Sequence, residues 1–308
     1  LTLDGSRPFT GRITEDTVLY AAEWAPVIEL DPNGGADITP VVARAGTTIT
    51  LPTPVRTNYR FMGWQTVTGE TAEISEMPET SISLTAMWQA MLVFDENGGT
   101  LVDDISQPVG STITLPVPAQ SGYVFAGWYT ENGEMFVRDN MPGTGMSLHA
   151  EWKLPNEGFD VVLTDNSGVV QTFTIYGLSG RYYSLIKKPM SWNAASDYCE
   201  FLGGFQVSIT SEEENEFIEN LLKTLDPGNY QYWIGATDQY EEGHWVWASG
   251  EQWWYDNWQP GEPNDQNGQD YACYTSTFSD YHWDDGGDDN RSFICEWATY
   301  DDLYSAIV

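Results

Sequence analysis

The chain has 308 residues, and its 46 acidic side chains outnumber its 12 lysines and arginines, which gives a formal net charge of −34. Aromatic residues make up 14% of the sequence, whereas disordered chains are poor in them. The acidity excludes a binder of duplex nucleic acid, and no apolar run is long enough to span a bilayer. Length alone predicts about two domains. The chain starts without Met and shows no signal peptide, so we expect a piece of something longer.

The first half of the chain contains an internal repeat with a period of 64 residues. The Asn-Gly-Gly triplet at 33–35 returns at 97–99, and the Gly-Thr-Thr-Ile-Thr-Leu-Pro segment at 46–52 returns in similar form at 110–116. Tryptophan falls on the same period, at Trp24, Trp88 and Trp152. Self-similarity at a fixed period indicates an array of small modules.

Each copy is predicted to be rich in β-strands. Apolar residues alternate with polar or small ones before each repeated tryptophan, and this period of two is typical of half-buried strands. The Asn-Gly-Gly triplets favour turns, because Asn and Gly tolerate positive φ. We predict the end of a truncated copy at 1–25 and two complete copies at 26–89 and 90–153.

The Asn-Gly-Gly, Thr-x-x-Pro-like and Gly-Trp elements occur twice in the same order, and residues 1–153 thereby resemble the Listeria–Bacteroides repeat, or internalin B-repeat, of bacterial surface proteins. The resemblance implies small β-grasp-like modules in tandem on secreted or wall-attached proteins. Such modules usually act as a stalk or spacer and sometimes in adhesion. We expect the spacer role here.

The sequence changes character after residue 153. Residues 154–171 are predicted to hold a linker and a lead-in strand, since Pro, Asn and Gly cluster at their start. Two helices are predicted next, one with Ser191 as its N-cap and one beginning with a capping box of Ser211 and Glu214. The three consecutive glutamates at 212–214 suit the positive end of a helix dipole and need no metal.

A series of short motifs then extends to residue 298 and resembles the C-type lectin-like domain, which we place at 172–298 with a tail at 299–308. The resemblance implies an α+β fold with two helices and a long Ca²⁺-binding loop. The motifs are Ser191-Trp192-x-x-Ala195-x-x-x-Cys199, Trp233-Ile234-Gly235, Trp258-x-Pro260-Gly261-Glu262-Pro263-Asn264, Trp283-Asp284-Asp285 and Phe293-Ile294-Cys295-Glu296.

Oxygen-bearing side chains in these motifs predict a calcium site, because Ca²⁺ takes about 6–8 oxygen ligands. Glu262 and Asn264 flank Pro263, and a cis bond before this proline would turn both side chains toward one point. Further carboxylates arrive from separate segments. The predicted ligands are Glu262, Asn264, Gln269, Asp270, Asp284 and Asp285.

The resemblance also implies a type of sugar. The Glu-Pro-Asn triplet at 262–264 accompanies mannose-, glucose-, GlcNAc- or fucose-type ligands, whereas a galactose-type site would show Gln-Pro-Asp. Asp284 stands where the family has Asn, so a hydrogen-bond donor to the sugar is lost while negative charge for the ion is gained. The predicted ligand-binding residues are Glu262, Asn264, Asp284 and Trp258.

A second, auxiliary cation site is implied by the same resemblance. Asp238, Glu242 and Asp265, together with Asp270, occupy positions that form it in family members that have one. The alternative is an acidic loop that is solvated and holds no ion.

The three cysteines indicate an oxidising, extracellular setting. The resemblance pairs Cys199 with Cys295, and a bond closing so long a loop is worth about 4–5 kcal/mol in the chain-entropy model. Cys273 is left over and is predicted to be a buried free thiol.

Three functions follow for the whole chain, which we expect to be a secreted or cell-surface bacterial monomer. The first is a Ca²⁺-dependent carbohydrate-binding adhesin module on a repeat stalk, whose partner is a glycan or a surface glycoprotein. The second is a protein-binding tip of the same fold in which Ca²⁺ only stabilises the loop. The third, an enzyme, is the weakest, because the three histidines form no catalytic motif.

Overall fold

The computed structural model describes residues 25–228, 231–276 and 281–307. The predicted end of a truncated repeat, with the strand leading to Trp24, lies outside these residues. The described chain divides into two compact units. One holds residues 25–93, 104–112 and 140–147, and the other holds the remainder.

The first repeat is a four-stranded sheet without a helix in its described residues. Its strands lie in the order β2-β1-β4-β3, and β1 runs parallel to β4. The side chains of Trp64 and Leu84 are buried at its centre with Ile28, Met77 and Ala86. The strands are β1 Val27–Asp31, β2 Val41–Val42, β3 Tyr59–Gln65 and β4 Ile82–Ala90.

The second repeat carries a three-stranded sheet in the order β5-β7-β6. Its strands are β5 Leu92–Asp95, β6 Val124–Thr130 and β7 Met146–Lys153. These bounds confirm the strands predicted from the alternating pattern before Trp88 and Trp152.

Repeated residues make repeated contacts in the two copies. The indole Nε1 of Trp64 donates to the carbonyl of Pro52 over 3.0 Å, and that of Trp128 donates to the carbonyl of Pro116 over 2.8 Å. A Cβ at Gly99 would lie 2.5 Å from the ring of Trp152, and a Cβ at the equivalent Gly35 would lie 2.7 Å from the ring of Trp88. The Asn-Gly-Gly turn is therefore tied to the tryptophan that recurs with it.

The rest of the chain folds around a sheet whose strands lie in the order β15-β14-β12-β16-β10-β9-β8, with β11 paired to β16 and β13 paired to β12. These strands are β8 Phe159–Thr164, β9 Val170–Leu178, β10 Arg181–Met190, β11 Phe205–Gln206, β12 Tyr232–Thr237, β13 Val246–Trp247, β14 Tyr271–Ser276, β15 Tyr281–Gly286 and β16 Arg291–Trp297. β8 lies in the region predicted as linker and lead-in strand.

The helices of this region are α1 Trp192–Phe201, α2 Glu212–Leu225 and α3 Tyr300–Ile307. The hydroxyls of Ser191 and Ser211 cap α1 and α2, as predicted. The reciprocal half of the capping box differs, because the Glu214 carboxylate accepts from the backbone N–H of Thr210, 2.8 Å away, and not from that of Ser211.

Helix α3 occupies the segment predicted as a tail, so the region has three helices where the sequence predicted two. Its Tyr300 and Leu303 are buried. The ring of Tyr300 lies 4.7 Å from that of Phe125 in the second repeat, and Tyr182 donates to the Phe125 carbonyl over 2.9 Å. No described helix is long and apolar enough to cross a membrane.

A disulfide and a tryptophan-rich core stabilise the sheet next to the long loop that precedes β14. Cys199 on α1 is bonded to Cys295 on β16, as the resemblance implies, and Cys273 is buried and free. Four tryptophans of this core are buried: Trp233, Trp245, Trp247 and Trp283.

Candidate metal and ligand site

Three carboxylates converge where strand β15 meets the long loop that precedes β14. One oxygen each of Glu262, Asp284 and Asp285 lies within 4.8 Å of the others. Asp284 and Asp285 follow the buried Trp283 on β15, whereas Glu262 comes from the loop. The Glu262–Pro263 peptide bond is cis, as predicted.

Asp285 fastens the loop to the strand. This residue is only 1% exposed, and its Oδ2 accepts hydrogen bonds from the backbone N–H groups of Asn264 at 3.0 Å and Asp265 at 2.6 Å. Its backbone carbonyl accepts from the side-chain amide of Gln269 at 2.6 Å. One buried residue therefore positions three residues of the loop.

The tryptophans of the loop complete this attachment. Trp258 forms a parallel bridge with Trp283, and its ring lies 4.7 Å from that of the buried Trp245. The backbone N–H of Trp283 donates to the Asn257 carbonyl over 2.8 Å. The Trp283 carbonyl accepts from the backbone N–H of Gln259 over 2.8 Å, so main-chain hydrogen bonds run both ways between strand and loop at the residue immediately before Asp284.

The electrostatics of the site favour the binding of a cation. Among the described residues, no hydrogen-bond partner lies near the buried Oε2 of Glu262 or the buried Oδ1 of Asp285. Burial and the neighbouring Asp285 and Asp284 carboxylates raise the pKa of Glu262 to about 7. Burial and the charge of Asp285 also raise the pKa of Asp284. Like charges held this close repel, and a divalent cation would relieve that repulsion.

Three of the predicted ligands have other roles in the structure. The side-chain oxygen of Asn264 accepts from the backbone N–H of Gln266 at 2.9 Å, and Gln269 donates to the Asp285 carbonyl. Asp270 does not join the cluster of Glu262, Asp284 and Asp285 but groups with the auxiliary residues. The turn at 265–268 lies between Asn264 and the other two residues, and the neighbouring Gln269 and Asp270 contact different clusters.

The second cluster contains Asp238, Glu242 and Asp270, whose carboxylates also offer oxygens within 4.8 Å of one another. Asp238 is 2% exposed, its Oδ2 accepts from the backbone N–H of Gly243 at 2.9 Å, and its Oδ1 has no partner within the described chain. Burial raises the pKa of Asp238. Burial and the charges of Asp238 and Asp265 raise the pKa of Glu242, so the fourth predicted residue, Asp265, lies close to this cluster.

Both clusters fit a hard cation such as Ca²⁺. Their atoms are carboxylate oxygens, which calcium prefers, and each cluster includes a buried oxygen that has lost water without gaining a protein donor. The main cluster would hold the ion through Glu262, Asp284 and Asp285.

Two further residues of this region are not among the predicted site residues. Trp254 in the long loop is 79% exposed, whereas the predicted ligand-binding Trp258 is half-buried against Trp245 and Trp283. Arg291 is the other residue, and it lies against the backbone of Gly286 at the end of β15. The sequence could have drawn attention to Arg291, because it is the only Lys or Arg after residue 223, in a segment rich in acidic residues.

Comparison with known proteins identifies both parts of the chain. Residues 188–297 match the model of the lectin C-type domain, and residues 28–87 and 91–150 match that of the Listeria-Bacteroides repeat domain. A lectin from Pleurodeles waltl is 31% identical over 121 residues, which are 38% of this chain and 70% of that protein.

A bacterial protein and a solved structure are also similar. A Gly-rich membrane protein of Evansella cellulosilytica is 30% identical over 211 residues, which are 60% of this chain and 23% of that protein. The structure of human lithostathine matches 40% of this chain and 87% of its own, with 26% identity and a TM-score of 0.38. The chain therefore belongs to the C-type lectin domain family through its second half, which follows two Listeria-Bacteroides repeats.

Proposed function

We propose that the C-type lectin domain is a Ca²⁺-dependent carbohydrate-binding module for mannose-, glucose-, GlcNAc- or fucose-type sugars. The observation that carries this proposal is the convergence of Glu262, Asp284 and Asp285, with two buried carboxylate oxygens that lack partners among the described residues. A bound Ca²⁺ would supply a divalent centre to which neighbouring sugar hydroxyls bind. The similarity to a lectin supports a sugar as the ligand.

The chain's own residues would orient the sugar. The carboxylates of Glu262 and Asp284 are acceptors for hydroxyl protons, and the side-chain NH₂ of Asn264 is a donor. The backbone bonds from Asn264 and Asp265 to Asp285 fix the loop that carries these groups. Asp284 cannot donate, so fewer donors face the sugar than an amide at that position would supply.

We place the protein outside the cell, as an adhesin module presented on a repeat stalk. The Cys199–Cys295 disulfide supports an oxidising compartment. A bacterial relative described as a membrane protein matches more of the chain than the lectin domain alone. The tandem repeats support the stalk.

A protein-binding tip in which Ca²⁺ only stabilises the loop is the second candidate. Three observations favour it. The side-chain oxygen of Asn264 is engaged by Gln266, and the large side chains of Trp254 and Tyr240 are 79% and 84% exposed, as interface aromatics are before a partner binds. The absence of a donor at Asp284 also suits this reading.

A glycan array in millimolar Ca²⁺ and in EDTA separates the two candidates. The carbohydrate-binding function predicts Ca²⁺-dependent signal on mannose- or glucose-type glycans, lost in EDTA and lost with Glu262→Ala. Asp256→Ala is the matched control, because Asp256 is an exposed acid of the same loop that lies in neither cluster. Calcium binding without any glycan signal would favour the protein-binding tip.

A further inference from the structure

Arg291 is a nearly buried cation at the start of β16. Its side chain is 10% exposed, and its guanidinium carbon lies 4.3 Å from the centroid of the Trp233 ring. One terminal nitrogen contacts the sulfur of Cys273, and the other lies 3.2 Å from an oxygen of Asp289. Its Nε is buried and has no hydrogen-bond partner in the described part of the chain.

These contacts place the guanidinium beside the acidic end of β15. Cys273 is the cross-strand partner of Asp284, and its sulfur lies 3.5 Å from the Asp284 carbonyl. A Cβ at Gly286 would lie 2.9 Å from an Arg291 nitrogen, so the cation lies against the backbone directly after Asp285.

The charge of Arg291 is only weakly neutralised by its direct contacts. Burial raises the pKa of the Cys273 thiol to about 12, so the thiol is uncharged near neutral pH. Asp289 is 71% exposed, and an ion pair with a solvent-exposed partner contributes little. These contacts therefore offset the charge of Arg291 only in part, at a position next to the end of β15.

No other Lys or Arg of the second half can serve these carboxylates in the same way. Residues 154–308 contain four besides Arg291, and each forms an ion pair elsewhere. These pairs are Arg181 with Glu251 and Glu296, Lys187 with Asp226, Lys188 with Asp165, and Lys223 with Glu219.

We propose that Arg291 is the internal counter-cation of the Glu262, Asp284 and Asp285 cluster and sets its affinity for calcium. Without an ion, Arg291 offsets the mutual repulsion of the three carboxylates and keeps them together. Its position supports this, because the Cys273 sulfur that it contacts belongs to the cross-strand partner of Asp284. With an ion bound, the same charge repels it, so Arg291 stabilises the ion-free protein and weakens ion binding. The second effect rests on the proposed function.

A double-mutant cycle in calcium-free buffer tests the first effect. Arg291→Met keeps the apolar stem and removes the charge, and Asp284→Asn removes the opposing charge. We expect Arg291→Met to lower the urea midpoint of the full chain, and to lower it less than half as much in the Asp284→Asn background. An equal loss in both backgrounds would show that Arg291 acts through packing alone and would overturn the proposal.

Calorimetric titration with CaCl₂ tests the second effect. We expect Arg291→Met to bind Ca²⁺ about three- to tenfold more tightly than the wild type, from the Coulomb energy of one removed charge in a partly hydrated site. Arg291→Lys should retain the wild-type affinity while losing stability. Lys187→Met removes one charge from an exposed pair elsewhere and should leave the affinity unchanged.

The two experiments fail separately. Weaker or equal Ca²⁺ binding by Arg291→Met would overturn the role of Arg291 in affinity, whatever the cycle shows. If the wild type binds no Ca²⁺, the proposed function fails, while the cycle in calcium-free buffer still decides whether Arg291 is the counter-cation.

Discussion

Two buried aspartates of the second half, Asp165 and Asp285, show opposite ways of holding a carboxylate away from water. Asp165, in the turn between β8 and β9, is 3% exposed, and Asp285 on β15 is 1% exposed. Asp165 accepts from the backbone and hydroxyl of Ser167, from the backbone of Val169, and from Gln171 and Lys188. Asp285 has two backbone donors on one oxygen and no partner among the described residues for the other.

The different numbers of hydrogen-bond donors around the two aspartates are accompanied by pKa shifts in opposite directions, of Asp165 itself and of Glu262 beside Asp285. The hydroxyl of Ser167 and the N–H of Val169 hold the pKa of Asp165 well below its usual range. Around Asp285 the neighbouring Glu262 has a raised pKa. A carboxylate that the chain itself satisfies is a structural element of a turn, whereas a group of carboxylates that the chain leaves unsatisfied indicates an external cation. The number of donors separates the two cases where acidity alone does not.

The largest expected effect is the loss of calcium binding when the unsatisfied cluster is neutralised. The double substitution Glu262→Gln and Asp285→Asn should weaken Ca²⁺ binding at least about 100-fold, since two charged oxygen ligands are lost. Asp165→Asn should leave the dissociation constant within about twofold, because the Asp165 carboxylate already has its donors. Isothermal titration calorimetry measures both. A comparable loss of affinity in Asp165→Asn would show that the number of hydrogen-bond donors does not distinguish a structural carboxylate from a calcium ligand.

The next effect is stabilisation by the ion. Calcium at 100 times its dissociation constant should stabilise the folded protein by about 2.7 kcal/mol. This corresponds to a rise in Tm of about 5–10 °C for a folding unit of this size. Differential scanning calorimetry should show the full rise in wild type and in Asp165→Asn, and a smaller rise in Glu262→Gln, which leaves the cluster of Asp238, Glu242 and Asp270 intact. A wild-type Tm that is the same with and without millimolar Ca²⁺ would contradict both proposed cation sites.

A smaller effect is expected from the satisfied carboxylate. Asp165→Asn places an NH₂ group against the donors Gln171 and Lys188, and should lower Tm by about 2–4 °C with or without calcium. Asp160→Asn is the control, because Asp160 is exposed and accepts a single bond from Thr174. Thermal unfolding in EDTA and in Ca²⁺ tests this, and a calcium-dependent loss would contradict the structural role of Asp165.

The smallest effect is the pH dependence of that loss. Because the pKa of folded Asp165 is depressed, its contribution to stability is fully present above the unfolded value of 3.8 and declines as the pH falls below it. The Tm difference between the wild type and Asp165→Asn should therefore be the same at pH 7 and pH 5 and smaller at pH 3. A difference that stays constant down to pH 3 would show that Asp165 acts through shape and not charge.

Sequence patterns correctly predicted the helices and strands that are specified by neighbouring residues alone. The helix starts at Ser191 and Ser211 follow from a hydroxyl in front of an apolar periodic run, and the strand before Trp88 follows from alternation. Helix α3 was missed because eight residues give too little periodicity. Its signal was Thr299, whose hydroxyl accepts from the backbone N–H of Asp302 at 3.2 Å, a Ser/Thr-x-x-Asp/Glu start.

The sequence predicted which acidic residues form the candidate site, but not how they divide between two clusters. Glu262, Asp284 and Asp285 were expected together and lie together. The separation of Asp270 from them depends on the path of the turn at 265–268, where Asp265 and Asn267 have φ values of 48° and 70°. The position of Arg291 depends on the pairing of β16 with β10, and its nearness to Asp284 depends also on the pairing of β14 with β15, which local sequence does not encode.

The parallel pairing of β1 with β4 has a mechanical consequence for the first repeat. Ile28 lies opposite Ile82 and Leu30 opposite Leu84, so the first and last strands of the repeat run side by side in the same direction. Pulling the two ends apart slides one strand along the other and loads all their hydrogen bonds at once, whereas antiparallel neighbours joined at one end would separate bond by bond. Since forced unfolding is governed by the unfolding rate, this geometry makes the repeat resistant to tension along the chain.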